Sequence, residues 1–109
     1  MVDDVLRVAV SYAMGMTLIS LRGDVDADSV LALQVVLDDL DFDNCVVVDM
    51  QQVDFIDSTG LNVLISQALL MGQAGGSLRI GNPSVGVHRV VEVIGLTEFF
   101  YETAVPEIA

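Results

Sequence analysis

The middle of the chain reads Val53-Asp54-Phe55-Ile56-Asp57-Ser58-Thr59-Gly60-Leu61, an apolar run that passes directly into a polar, glycine-containing block. The run favours a buried strand, and the block favours a tight turn into a helix that begins near Ser58. A helix start has unpaired N–H groups and the positive end of the macrodipole, so it can hold a phosphate added at Ser58. The simpler interpretation is that Asp57 or Ser58 only caps the helix, and that Gly60 eases the turn.

Outward from this point, strand and helix patterns alternate along the chain. A hairpin opens it, with strands over Val5–Tyr12 and Met16–Arg22 and a turn at Ala13-Met14-Gly15. The remaining predicted elements are a helix capped by Asp26 or Asp28, a strand over Cys45–Met50, a helix from Ser58, a strand over Ser77–Gly81, a helix opened by Asn82-Pro83-Ser84, and an aromatic strand over Glu98–Glu102.

This order, β-β-α-β-α-β-α-β, predicts an α/β fold with a mixed sheet of about five strands and helices packed mainly on one face. Val46-Val47-Val48 is continuously apolar, which predicts a central strand buried on both faces. A length of 109 residues, 53% of them hydrophobic, fits one domain over residues 1–109. The single Cys45 is predicted to be a small core side chain in a reducing cytoplasm.

The charge is strongly acidic, with sixteen carboxylates, four arginines, no lysine and a net charge of −12. Such a field repels nucleic acid and anionic lipid, so neither is expected as a primary partner. It favours a basic protein surface, although a solvated acidic face that keeps the protein soluble explains most of the aspartates equally well. The acidic Met1–Asp4 segment argues against a signal peptide, and polar residues interrupt the uncharged stretch Ser58–Leu78, which argues against a membrane span.

Residues for catalysis or metal binding are scarce. Without lysine there is no phosphate-binding loop, and one histidine, His88, with one cysteine cannot close a zinc site. Two aspartate ladders, Asp24–Asp28 and Asp39–Asp43, lack the glycine and the final glutamate of a calcium loop. Ser58 as an enzyme nucleophile would need His88 beside it and an acid to orient that histidine. We therefore expect neither a metal nor a cofactor, and no enzyme activity.

The block Asp57-Ser58-Thr59-Gly60-Leu61 resembles the phosphorylation loop of the anti-sigma-factor antagonists, the single-domain branch of the STAS family. The turn Gly23-Asp24-Val25-Asp26 matches the acidic turn of that family, and Asn82-Pro83-Ser84 matches its proline-containing turn. Like the Ser58 block, the acidic turn lies at a strand-to-helix junction, so both are expected to emerge at the same end of the sheet. The element order is also that of STAS domains. The resemblance covers about residues 5–103, which it implies to be the core of a single STAS domain.

The resemblance implies a function as well as a fold. Ser58 would be phosphorylated by the partner, an anti-sigma factor that is a serine kinase and brings ATP and magnesium. The unphosphorylated chain would bind this kinase and free the sigma factor, and a separate PP2C-type phosphatase would reset the switch. The residues implied to bind the partner are Asp24, Asp26, Asp57, Ser58, Thr59, Gly60 and Leu61.

Departures from the family pattern leave alternatives open. Asn62 stands where relatives often have a second glycine, and the later part of the helix lacks their basic residues. Val63, Leu70 and Met71 form either an exposed docking patch or a surface covered by a neighbouring helix. The alternative function is that of a STAS adaptor subunit in a larger transport or stress-sensing complex, without a phosphorylation switch.

Overall fold

The hairpin predicted at the start of the chain is present, and it forms one edge of the sheet. The computed structural model describes residues 5–101. Strands β1 (Arg7–Ala13) and β2 (Met16–Arg22) pair in antiparallel fashion. The turn residues Met14 and Gly15 both have positive φ, 55° and 77°, as the two-residue hairpin turns that match strand twist require.

The sheet continues with two parallel strands joined by helical crossovers. β3 (Cys45–Gln52) lies beside β2, and β4 (Ser77–Gly81) lies beside β3, so the spatial order is β1-β2-β3-β4. The helices are α1 (Val30–Asp38), α2 (Ser58–Gln73), α3 (Val85–Val93) and α4 (Thr97–Tyr101). The predicted α/β class with a mixed sheet is confirmed, with four strands within residues 5–101 against the expected five or so.

Only one face of the sheet is buried under the helices. The buried residues alternate along β2, β3 and β4: Thr17, Ile19, Leu21, Val46, Val48, Met50, Leu78 and Ile80. The edge strand β1 has no buried residue. Val47 on the other face is half-buried and Cys45 is exposed, because both have the opposite parity to Val46. The predictions that Val46-Val47-Val48 is covered on both faces and that Cys45 is a core side chain are therefore wrong.

The last predicted strand is a short helix. Gly95, with φ of 77°, ends α3, and the chain then turns into α4. The Phe100 N–H donates to the Leu96 carbonyl at 3.0 Å, and the Phe100 ring is completely buried. One helical turn is enough to place this ring in the core, so a fifth strand is not needed to bury it. Glu102, the last residue of the predicted strand, lies outside the described residues, as does residue 103.

The first helix begins later than predicted. Ser29 is its N-cap residue, without a capping hydrogen bond from its side chain, and Val30 is its first residue. The Asp26 carboxylate instead accepts hydrogen bonds from the N–H groups of Asp28 and Ser29, both at 3.1 Å. Asp26 therefore stabilises the turn before the helix. Of the helices in residues 5–101, none combines the length and the apolar character that crossing a membrane requires.

Candidate functional site

Asp57 caps the start of α2, so the Ser58 side chain is not needed as a cap. One Asp57 carboxylate oxygen, Oδ1, accepts the Gly60 N–H at 3.0 Å, and the Asp57 backbone is extended, as an N-cap requires. Ser58 is the first residue of the helix and is exposed, and its hydroxyl has no hydrogen bond within residues 5–101. Thr59 is exposed as well. The helix start thus presents two hydroxyl groups that its own cap does not use.

The acidic turn is held against this helix start by a short parallel bridge. Val25 pairs with Ile56: its N–H donates to the Phe55 carbonyl at 3.0 Å, and its carbonyl accepts the Asp57 N–H at 3.1 Å. Both Val25 and Ile56 are buried. The residues on either side of Val25, Asp24 and Asp26, are therefore fixed next to the loop that carries Ser58. The sequence-based expectation that the two loops emerge at the same end of the sheet is confirmed.

Gly60 allows this close approach. A Cβ atom at this position would lie 2.6 Å from Cγ1 of Val25 and 2.9 Å from its carbonyl oxygen. Only a residue without a side chain lets α2 begin directly against the acidic turn. Gly60 is buried, and Leu61 is only 5% exposed. Among the residues implied to bind a partner, these two lie inside the fold and position the others.

Hydrogen bonds of Ser29 hold the parts of the acidic turn together. The Ser29 hydroxyl donates to the Asp24 carbonyl at 2.7 Å and accepts the Asp26 N–H at 3.0 Å. Oδ1 of Asp26 is bound within the turn, as described above, whereas Asp24 and Asp28 are exposed. The turn thus presents carboxylates from a fixed backbone at the edge of the Ser58 loop.

The start of α3 forms the other border of the site. Its N-cap Ser84 donates its hydroxyl to the Val53 carbonyl and accepts the Val87 N–H at 3.1 Å. A Cβ atom at Gly86 would lie 2.4 Å from the Asp54 carbonyl oxygen, so helix and loop are in direct contact. The predicted turn before the third helix therefore anchors the Ser58 loop from the side opposite to the acidic turn.

Two exposed apolar side chains at this border were not singled out from the sequence. Phe55 is 49% exposed, although it belongs to a run that reads as a buried strand, and Val85 is 76% exposed. Within the run, Val53 and Ile56 are buried, so the alternation of a regular strand does not hold. No sequence signal distinguished Phe55, because the irregular path from β3 to α2 decides which side chains point outward.

The patch proposed on the later part of α2 is mostly absent. Met71 is completely buried and Val63 is half-buried against the core, whereas Leu70 is 45% exposed. Gln67 takes part of the inward face, where its amide donates to the Leu37 carbonyl at 3.4 Å. Of the three residues, only Leu70 could contact another protein.

The chemistry available at the site is that of hydroxyl and carboxylate groups. Within residues 5–101, no group of three or more histidine, cysteine or acidic side chains is placed to hold a metal ion. His88 is exposed on α3 and stacks on Tyr101, with ring centroids 5.6 Å apart. It therefore packs against α4, and within residues 5–101 no hydrogen bond joins it to Ser58.

A family model described as "Mlab, STAS domain" matches residues 8–104. The chain belongs to the STAS domain family. The anti-sigma F factor antagonist of Paenibacillus polymyxa is 24% identical over 94 residues, which cover 84% of this STAS domain and 80% of that protein.

Two solved structures show the same fold. The crystal structure of an anti-sigma factor antagonist from Mycobacterium paratuberculosis has a TM-score of 0.69 and 24% identity, over 91% of this STAS domain and 86% of that chain. The anti-sigma factor antagonist SpoIIAA in its unphosphorylated form has a TM-score of 0.72 and 18% identity, over 86% and 85% of the two chains. At these identities the structures establish the likeness of the fold.

Proposed function

We propose that this STAS domain is an anti-sigma-factor antagonist controlled by phosphorylation of Ser58. The unmodified protein binds an anti-sigma factor with serine-kinase activity, and this frees the sigma factor in the cytoplasm. The kinase supplies ATP and magnesium and transfers a phosphoryl group to the Ser58 hydroxyl; a PP2C-type phosphatase later removes it. The main support is that the Ser58 hydroxyl is exposed and unbonded at the helix start, because Asp57 provides the cap.

The proposed binding surface combines carboxylates, hydroxyls and apolar side chains on three connected loops. Asp24 and Asp26 come from the acidic turn, and Ser58 and Thr59 from the helix start. Phe55 and Val85 add apolar area, while Gly60 and Leu61 act from inside the fold. An acidic surface with an aromatic anchor fits a partner surface that is basic around an apolar pocket.

Phosphorylation is proposed to act at the interface rather than on the fold. A phosphate adds about −1.5 to −2 charges at neutral pH. The dipole and free N–H groups of the α2 start accept this charge, so the domain stays folded. Against a partner fitted to the neutral hydroxyl, the phosphate adds bulk and repulsion beside Asp57 and the acidic turn. A thousandfold loss of affinity corresponds to about 4 kcal/mol, which one buried charge clash can supply.

The test compares two neighbouring hydroxyl groups. Ser58→Ala is expected to abolish phosphate incorporation from the partner kinase and to keep the affinity for that kinase. Thr59→Ala is the matched control, because it removes an exposed hydroxyl one residue further along α2. This variant is still expected to be phosphorylated on Ser58. Mass spectrometry of the kinase reaction reads out both variants. Phosphate on the Ser58→Ala protein would show that the site is assigned to the wrong residue.

A second variant tests where the switch acts. Ser58→Asp is expected to keep the circular dichroism spectrum of the wild type and to bind the kinase at least tenfold more weakly. A melted spectrum would contradict the interfacial mechanism.

The adaptor alternative remains a second candidate because the matching family model is described by the name Mlab and not as an antagonist. If the protein is an adaptor, the wild type and the Ser58→Asp variant are expected to bind the larger complex with equal affinity.

A further inference from the structure

The uncovered face of the sheet carries charge of the opposite sign to the rest of the chain. Arg7, Arg22 and Arg79 belong to the strands, and each has the parity of the face turned away from the helices. They are three of the four arginines in the sequence, which has no lysine. Asp49 is the only carboxylate within the four strands. A chain with a net charge of −12 has therefore concentrated its positive groups on one surface.

Two of these arginines stand directly opposite each other. Arg7 of β1 pairs with Arg22 of β2 in the antiparallel register, and both are exposed. Neither side chain has a hydrogen bond or an ion pair within residues 5–101. Like charges in directly opposed positions destabilise a sheet, and sixteen acidic residues were available to neutralise them. Within residues 5–101, the pairing therefore places two like charges opposite each other without a neutralising partner.

A cleft of about 310 Å³ lies between these arginines and the end of β3. Ser20, Asp49, Gln51 and Gln52 also line it, so residues with hydroxyl and amide donors, together with one carboxylate, lie beside the two arginines. The Asp49 carboxylate has other partners: Oδ1 accepts the Gln51 N–H at 3.0 Å, and Oδ2 accepts from Nδ2 of Asn82 at 3.4 Å. It does not form an ion pair with either arginine.

We propose that this cleft binds a dianionic oxyanion, namely a phosphate group, between Arg7 and Arg22. Two guanidinium forks match the oxygens of a phosphate in number and geometry, and a dianion neutralises both charges. The volume is at the lower end of the range for small-molecule sites, which suits inorganic phosphate or a small phosphate ester. The site shares no lining residue with the Ser58 loop, so it does not depend on the proposed function.

The experiment is a titration of ¹⁵N-labelled protein with inorganic phosphate at constant ionic strength, followed by amide NMR shifts. Saturable shifts are expected at Ala9, Ser20 and Gln51 around the cleft. Arg7→Gln and Arg22→Gln are each expected to weaken the binding about tenfold or more, as loss of a charge-assisted contact predicts. Arg89→Gln is the matched control, since Arg89 is exposed on α3, away from the strands. It is expected to stay within about twofold of the wild type, because its charge is screened over that distance.

Three results would overturn the proposal. Shifts confined to Thr59–Leu61 would place the phosphate at the start of α2. An equal loss of affinity in Arg89→Gln would reduce the effect to net charge. Unchanged affinity in both cleft variants would remove the arginines from the site. A second titration with glycerol phosphate distinguishes the two possible ligands, inorganic phosphate and a small phosphate ester. Tighter binding of glycerol phosphate indicates the ester, and weaker binding indicates the free ion.

The thermal stability of the variants provides a second readout. Without phosphate, Arg7→Gln is expected to melt higher than Arg89→Gln, because both variants lose one positive charge and only Arg7→Gln removes a like-charge pair. With phosphate, the wild type and Arg89→Gln are expected to gain more in melting temperature than Arg7→Gln. An equal gain in all three proteins would indicate general salt stabilisation and contradict a specific site.

Discussion

Phe55 is the side chain that most extends the proposed binding surface beyond the residues implied by the sequence. Its ring is half exposed, but its backbone is fixed by the hydrogen bond from Val25 and by the buried neighbour Ile56. An exposed aromatic residue on a rigid segment loses little entropy on binding, which is typical of the few side chains that dominate interface energies.

Phe55→Ala is therefore expected to weaken binding to the proposed anti-sigma partner by about 2 kcal/mol, or roughly thirtyfold. Phe42→Ala is the matched control, because Phe42 is 38% exposed but precedes β3, at the end of the strand opposite to the Ser58 loop. Isothermal titration calorimetry measures both variants. Equal losses of affinity in the two variants would place the interface elsewhere.

Gly60 and Gly72 give a clean comparison of two glycines within α2. A Cβ at Gly60 would collide with Val25 at 2.6 Å, whereas a Cβ at Gly72 meets nothing within 4 Å. Gly60→Ala is expected to lower the free energy of unfolding by about 1–3 kcal/mol, because the acidic turn must move away. Gly72→Ala is expected to raise it by up to about 1 kcal/mol through helix propensity alone. Urea unfolding measures both, and a stabilised Gly60→Ala protein would refute the close approach.

At the scale of elements, the periodicity of apolar residues correctly predicted the strands, helices and turns that depend on neighbours along the chain. The hairpin turn, β3, β4 and the start of α2 follow from local patterns, and the structure confirms them. The sequence also predicted that the Ser58 loop and the acidic turn lie at the same end of the sheet, because parallel strands place their carboxyl ends at one edge.

What periodicity missed depends on contacts between distant parts of the chain. Phe99-Phe100-Tyr101 has the composition of a strand, but only the core beneath β4 decides that a helical turn buries Phe100. Gln67 is similar: its burial depends on the Leu37 carbonyl, thirty residues away. Phe55 was missed because an irregular segment has no period from which its direction could be inferred.

Tyr101 joins α4 to α3, and its partial burial predicts a pH dependence of stability. The Tyr101 hydroxyl lies 3.3 Å from Nδ1 of His88. Burial, and then the nearby Glu92 carboxylate, raise the pKa of Tyr101 above its ordinary value of 10.0. The folded state therefore holds the phenol proton more tightly than the unfolded state. This stabilisation is complete below pH 10 and is lost as the pH rises through the raised pKa.

The free energy of unfolding is accordingly expected to fall above about pH 10 in the wild type, and to fall less steeply in Tyr101→Phe. Tyr12→Phe is the matched control, because Tyr12 is largely exposed on β1. Its slope is expected to equal that of the wild type. Denaturant unfolding between pH 9 and 11 measures all three proteins. Identical slopes for wild type and Tyr101→Phe would show that the ionisation of Tyr101 does not affect the free energy of unfolding.

At the scale of the whole molecule, the charge of −12 acts on stability as well as on binding. The principal extents are 41 × 29 × 27 Å. At 10 mM salt the Debye length is about 30 Å, so nearly all the carboxylates repel one another across the fold; at 150 mM it is about 8 Å, and only close pairs do. Self-repulsion destabilises a compact state more than an expanded one.

The melting temperature is therefore expected to rise by several degrees between 10 and 150 mM sodium chloride, since about 1 kcal/mol moves it by about 4–8 °C in a domain of this size. Asp28→Asn removes an exposed negative charge just after the acidic turn, so it is expected to melt higher than the wild type at low salt. Arg89→Gln removes a positive charge and is expected to melt lower. Screening makes both differences shrink at 150 mM. Calorimetric scans at the two salt concentrations measure these melting temperatures. Differences between the variants that do not change with salt would mean that local contacts, and not the charge of the whole chain, set their stability.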